Sequence, residues 1–441
     1  MNENTEPTAL IERNPFAFLD LSVRDDRHKI LQAAEEKSLS IDPEICTKAR
    51  ADLTNSRNRL GLEVSWLPGV SPRKSKELLA SIRLKPEALL SDIAGIEPLA
   101  RANLIAAVIE LLKPDLHIEV WSKWIIGLAA ASEEIRSELV LQLINEDRAI
   151  SGFPVIKDID QIEKEIVVQK KHYKECVKKA IDRLPSKDLV ALMTLVVEKS
   201  TDTGCKLAPS LIDDIADSYQ IEAHAHLIRG KETIFKIIDQ AINTAPNGEA
   251  PLSTVLDMLE KTVREWNTIA YPVQLSLKSR GLDHDLSVEL GFKIRSLAID
   301  IANKHDMLGP TTRITALLKE VFSGLPELSA RLDEDTKVLD GLIKQKQHLG
   351  TPVTSAPSLF GINGCGFRLY GATDHDPQSK SHIATYYFTI LFFPIFPITR
   401  YRVIANGSNY RFIGKFPLRK FDKCHLAVSC FGIFLIWACN K

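Results

Sequence analysis

Apolar residues along the first 350 positions recur at three- and four-residue spacing, the period of a helix that turns one face to a core. After about position 360 the period shortens, and aromatic and β-branched residues gather in strand-like runs. A helix is expected over 25–39, with Ile30, Leu31 and Ala34 on one face. Asp42-Pro43 then reads as an N-cap followed by proline at the first helical position, and Ile45, Ala49 and Leu53 continue as one stripe. Leu99, Leu104, Val108 and Leu111-Leu112 line a further helix, Val120, Trp124 and Leu128 the next, and Ile135, Leu139, Val140 and Leu143 another. A long charged helix is expected from Ile159 to Leu184, with Ile162, Ile166, Tyr173 and Val177 inward. The Pro- and Gly-containing stretch 245–251 reads as a linker, and Val255, Leu259, Val263 and Trp266 mark a fresh helical unit. No strict repeat is present, yet successive helical hairpins predict a solenoid-like or bundled body.

The strand-like end begins after a flexible linker around Gly350, Pro352, Ser355 and Pro357. Strands are expected at Phe367–Tyr370, Thr385–Phe393, Arg400–Ile404 and Tyr410–Phe416, with Pro394 and Pro397 at the edge or end of theirs. Asn406-Gly407 is a type I′ hairpin signal. That turn sets Val403 opposite Tyr410, Arg402 opposite Arg411 and Tyr401 opposite Phe412. Two apolar runs, 384–398 and 426–439, flank the hairpin. As a helix the second run reaches only about 21 Å at about 1.5 Å per residue, short of a hydrocarbon core of about 30 Å. It reads as an interfacial or re-entrant anchor.

The expected fold class is therefore mainly α, a bundled or solenoid-like body with a small C-terminal β-rich module. The expected organisation is a three-helix module over 1–70, a helical body over 71–245, a second helical unit over 251–348, a linker over 349–360 and a basic β-rich module with an apolar tail over 361–441.

Charge sharpens this division. Residues 361–441 hold ten Lys and Arg against three Asp and no Glu, although the whole chain is close to neutral, with 56 basic and 57 acidic residues. The body before them is correspondingly acidic. Seven scattered cysteines give no disulfide framework, which points to a reducing compartment. The acidic first residues, Met1 to Pro7, lack the basic and apolar regions of a signal peptide. A cytoplasmic protein is expected.

The first 55 or so residues of the N-terminal helical pattern, Phe16-Ala-Phe-Leu-Asp-Leu, the helix 25–39 and Asn55-Ser-Arg-Asn-Arg-Leu, resemble a J domain, the module by which DnaJ-type co-chaperones engage Hsp70. The resemblance implies a three-helix bundle and an Hsp70 partner. The family's His-Pro-Asp signature is absent, and Ser38-Leu39-Ser40-Ile41-Asp42-Pro43 stands in its place, so the usual stimulation of Hsp70 is not implied. The chain as a whole resembles a family of bacterial multidomain proteins with this start, a helical body and a basic end, which implies shared architecture and supplies no activity.

Candidate chemistry is sparse. No G-x-S-x-G, H-E-x-x-H or Walker sequence occurs. His224-Ala225-His226 puts two imidazoles on different faces of a helix, Cys424, Cys430 and Cys439 lack paired zinc spacing, and the glycines of 361–366 precede a strand where a phosphate loop needs a helix. No cofactor or metal is expected. His284, Asp285, Arg295 and Asn303 form the one polar set from which an enzyme site is conceivable; the plainer reading is helix capping and pairing within a bundle.

The stronger candidate is the basic, aromatic end. Arg400, Arg402, Arg411, Lys415, Arg419, Lys420 and Lys423 are expected to bind anions, with Phe392, Phe393, Phe396, Phe431, Phe434 and Trp437 as apolar anchors. Anionic headgroups suit this set at about 1 kcal/mol per basic residue near the surface. An internal pairing with the acidic body competes, and nucleic acid, bound by stacking and arginine contacts, is the third reading. The lysines of 170–179 read as a solvated helix face. The function expected is a non-enzymatic scaffold or adaptor that couples a protein partner to the inner membrane surface. An atypical co-chaperone is the alternative.

Overall fold

Helices carry the chain from Pro15 to Leu349 and one antiparallel sheet follows in this computed structural model, so the fold is mainly α with a C-terminal β-rich part. The structure describes residues 9–84, 89, 92–377, 379–407 and 409–439, without the side chains of 84 and 432–439. The helices are α1 Pro15–Phe18, α2 Arg27–Lys37, α3 Pro43–Thr54, α4 Ser56–Val64, α5 Pro72–Leu84, α6 Pro98–Leu111, α7 Ile118–Glu133, α8 Ser137–Ser151, α9 Ile159–Ile181, α10 Ser186–Thr201, α11 Ser210–Thr244, α12 Glu249–Ser279, α13 Asp285–His305, α14 Leu308–Val321 and α15 Pro326–Leu349. The strands are β1 Thr351–Pro352, β2 Gly361–Ile362, β3 Cys365–Asp376, β4 Ser381–Ile390, β5 Phe393–Asn406 and β6 Asn409–Phe416, before a last helix, α16 Lys420–Cys439. Two compact units result, one of residues 1–305 with 316–329, the other of 306–315 with 330–441.

Local chemistry sets the first helices. The Asp26 carboxylate accepts from Lys29 N at 2.8 Å, and Asp42 accepts from Glu44 N at 2.8 Å with Pro43 in the first turn. Asn55 ends α3 and caps α4 through Arg57 N, 3.0 Å away. Helix α4 is built into the body. Leu60 and Val64 share one apolar core with Leu99, Val140, Ile144, Ile156, Ile162 and Ile166. Helix α6 is buried nearly all round, from Leu99 to Ile109, as a helix at the centre of a bundle must be. Asn103 on α6 is fully satisfied there. Its amide donates to Val64 O and Trp66 O at 2.9 and 2.6 Å, and its oxygen accepts from Gln169 and Tyr173 at 2.8 and 2.6 Å.

Buried charge adds to this joint. Arg59, fully buried, donates to Glu63 Oε1 at 2.7 Å and to Val23 O at 2.6 Å, and its guanidinium lies 3.9 Å over the Phe153 ring. Arg148 on α8 donates to Glu63 Oε2 at 2.9 Å and to Ser56 O at 3.0 Å. One carboxylate thus sits between two buried guanidiniums.

The inward positions expected in the long charged helix, Ile162, Ile166, Tyr173 and Val177, are all buried. Its lysines meet acids on α11: Lys174 lies 3.1 Å from Asp214 and Lys178 3.1 Å from Glu222. That face is partly neutralised by these pairs. The stretch 245–251, expected as a linker, is a tight joint. A 3-10 turn, Ala245–Asn247, and Gly248 at φ 104° connect α11 to α12, which runs unbroken through Pro272.

The sheet order is β1-β6-β5-β4-β3-β2, all neighbours antiparallel. One face holds Ala384, Tyr386, Tyr401 and Val403 with Phe367, Leu369, Phe412 and Val353. Two expectations are corrected. The run expected as one strand, Thr385–Phe393, stops at Ile390, and Leu391-Phe392 turn the chain back into β5. Pro394 and Pro397 lie inside β5, on the half that pairs with β4 alone, each at a register shift of that pairing, where a strand tolerates proline. The last hairpin is also two residues off the expected register: Asn406 faces Asn409, Val403 faces Phe412 where Tyr410 was expected, and Arg402, beyond a bulge, faces Gly414 where Arg411 was expected. Gly407 opens that loop at φ 62°. The opposed arginine pair does not form.

Candidate functional site

Two hairpin turns meet at one end of the sheet and make different use of the same backbone shape. Asn363-Gly364 joins β2 to β3 with φ of 52° and 82°, and Leu391-Phe392 joins β4 to β5 with φ of 50° and 71°. Left-handed φ at both turn residues suits Asn and Gly and strains Leu and Phe by roughly 1–2 kcal/mol each. The second turn is held in place from its neighbours. Phe392 N donates to Gly364 O at 2.9 Å, Tyr370 Oη donates to Phe392 O, and the Arg368 guanidinium lies 4.7 Å over the Phe392 ring.

The side chains of this strained turn point to solvent. Leu391, Phe392 and Phe393 are 66%, 56% and 70% exposed, and Ile390, Phe360 and Ile362 are exposed beside them. The anchors expected at Phe392 and Phe393 are therefore at the surface. Phe396 is half-buried, facing Phe388 across β4 and β5. Phe431 is exposed, and the side chains of Phe434 and Trp437 lie outside the described residues.

The basic residues separate into two groups, which corrects the single surface expected. Arg400 and Arg402 are 7% and 3% exposed. Arg400 reaches Thr373 Oγ1 at 3.2 Å, and Arg402 reaches Ser381 Oγ at 3.0 Å and Asp374 O at 3.2 Å. They are interior groups, because β5 is a central strand and α16 packs against it. Arg411, Lys415, Arg419, Lys420 and Lys423 are exposed. Arg411 pairs with Ile404 and Lys415 with Tyr401, whose side chains alternate between faces, so those two do not share one. Arg419, Lys420 and Lys423 cluster at the start of α16 with exposed Phe421.

Helix α16 leaves β6 at the level of Arg400, and its His425 ring lies 5.5 Å from that of Tyr387, nearer the β4–β5 turn. A buried acid, Asp422, holds its first turn. Asp422 accepts from Arg419 N at 3.0 Å and from Arg419 Nε at 3.2 Å. Burial raises its pKa, but those hydrogen bonds and the charges of Arg419 and Arg400 outweigh burial and hold the carboxyl below its ordinary value. Among the described residues, buried Asp422 Oδ1, Arg400 Nε and Arg402 Nε have no hydrogen-bond partner, so the seam depends on charge. A depressed carboxylate contributes stability above its ordinary pKa of 3.8 and loses it as pH falls through the lower folded value. Asp422→Asn reproduces that loss at neutral pH. Amide exchange over 419–425 is expected to quicken in the variant, and unchanged protection there would contradict the role given to Asp422.

The other polar set expected from the sequence is not brought together. His284 precedes α13 and Asp285, Arg295 and Asn303 are strung along it, so at about 1.5 Å per residue Arg295 lies about 16 Å and Asn303 about 28 Å from His284. Asn303 is exposed, Asp285 opens the helix, and only His284 is buried. The residues missed by sequence reasoning are Leu391, Phe360 and Ile362. The apolar run 384–398 was too long for an average strand of five or six residues, but its turn contains no Gly, Asn or Asp to mark it.

No helix among the described residues is long and apolar enough to cross a membrane. No protein-family model, curated protein or solved structure matches the chain.

Proposed function

We propose that this protein is a non-enzymatic adaptor that docks on an anionic membrane surface, the cytoplasmic face of the inner membrane, while its helical unit engages a protein partner. The observation that carries the reading is the β4–β5 turn, where exposed Leu391 and Phe392 occupy left-handed positions that Asn-Gly would fill with less strain. Strain of this kind persists where a site requires it. Removing a Leu or Phe side chain from water favours association by roughly 1.5–3 kcal/mol, and lysines or arginines near an anionic surface add about 1 kcal/mol each. Arg419, Lys420 and Lys423 supply that charge, beside a helix that runs toward the same turn. Buried Arg400 and Arg402 hold the module together and do not meet lipid.

Co-sedimentation of the full chain with vesicles tests this. Binding to phosphatidylglycerol-containing vesicles, weakened by salt and far weaker on phosphatidylcholine alone, is the expected result. Folded protein that stays in the supernatant with both vesicle types would overturn the reading.

A further inference from the structure

We propose that the helical unit holds a second site, independent of membrane docking: a cavity lined by α10, α12, the end of α14 and the turn before α13 that binds a small carboxylate with an apolar body. Its volume is about 600 Å³, within the range of small-molecule sites. His284 lies on its wall, 4% exposed and stacked on Trp266 with ring centroids 6.3 Å apart.

A hydrogen-bond chain ends on this imidazole. Gln274 Nε2 lies 3.1 Å from Asn267 Oδ1 and 2.8 Å from Ser287 Oγ, and Ser287 Oγ lies 2.7 Å from His284 Nδ1. The serine oxygen accepts from the amide, and we assign its own proton to Nδ1, which leaves the neutral ring's proton on Nε2. Nε2 has no hydrogen-bond partner among the described residues. Burial, the largest cause, pushes the imidazole pKa down to about 4, so at neutral pH the ring is a fixed N–H donor. Such a donor recognises an acceptor atom.

The rest of the wall narrows the chemistry. The Lys278 stem lies close to Gly204 and reaches toward Gly324, and its ammonium has no carboxylate partner within ion-pair distance among the described residues. Glu320 is already held by Arg264 at 2.7 Å. Leu275, Leu282, Val321 and Leu325 give the cavity an apolar side. A carboxylate suits a lining that holds both His284 and Lys278, and the apolar side takes a short hydrocarbon or ring. An amine would place its charge against Lys278.

Calorimetric titration of the full chain with benzoate, hexanoate, benzylamine and inorganic phosphate tests the site, with imidazole nitrogen shifts recorded in parallel. Saturable binding of benzoate or hexanoate that moves the His284 Nε2 signal is expected, with no binding of benzylamine or phosphate. His284→Phe keeps the ring volume and removes the donor. Lys278→Met changes only an exposed group and keeps the fold intact. Each is expected to weaken the acid by about tenfold or more. Failure of both acids to bind at millimolar concentration, preference for the amine or phosphate, or affinity unchanged in Lys278→Met would each overturn the proposal.

Discussion

Glu63→Gln is expected to destabilise the helical unit by about 3–5 kcal/mol, the usual consequence of removing one partner from a buried ion pair. Arg59 and Arg148 approach the same carboxylate from α4 and α8, and both are almost fully buried. Without its charge the two guanidiniums face each other in a dry interior. Neither can swing to water, because Arg59 is packed on Phe153 and Arg148 is bonded to Ser56 O and Pro154 O. Replacing all three by apolar residues of similar size is expected to recover much of the loss, since the desolvation cost of the charges disappears with them. Denaturant unfolding followed by tryptophan fluorescence reads this unit, which contains Trp66, Trp121, Trp124 and Trp266. A Glu63→Gln midpoint close to that of the wild type would show that the pair of arginines finds other compensation.

The second large effect is a trade between stability and docking. Leu391→Asn with Phe392→Gly places the preferred type I′ pair in the β4–β5 turn. Relief of left-handed strain is expected to stabilise the C-terminal unit by about 1–3 kcal/mol. The same change removes two exposed apolar side chains, each contributing roughly 1.5–3 kcal/mol to insertion, so vesicle affinity is expected to fall by about a hundredfold or more. Loss of the Arg368–Phe392 contact offsets a little of the gain in stability. A double variant that is more stable and still binds vesicles at full strength would detach the turn from membrane docking. One that is less stable would show that the turn serves the fold.

How far the sequence foretold this molecule depends on the kind of signal each element carries. Helices with a polar cap and an apolar stripe were legible: Asp42-Pro43 starts α3 as expected, and the inward face of α9 is the one its spacing marks. The mainly helical body and β-rich end followed from the change of period. What failed were features decided by tertiary packing. The register of the last hairpin puts Phe412 against Tyr401 and Val403 and leaves Tyr410 exposed, and with the bulge between Arg402 and Val403 this outweighs the local preference of Asn406-Gly407. Close approach adds to this. A Cβ on Gly414 would lie 1.7 Å from Leu349 O, so glycine is required opposite Arg402. Counting charges marked Arg400 and Arg402 as surface groups because charge in a sequence carries no information on burial. The exposed turn was hidden for the opposite reason, since an apolar run looks like a core strand whichever way its middle faces.

Hydrogen–deuterium exchange of the full chain with and without anionic vesicles addresses the central claim most directly, because it locates contact without substitution. Docking through the C-terminal unit predicts new protection confined to the two adjoining turns, 359–364 and 390–393, and to α16, with the helical unit unchanged. Vesicle-bound protein in which those turns exchange as freely as in solution, or in which protection appears along the helical unit instead, would contradict it.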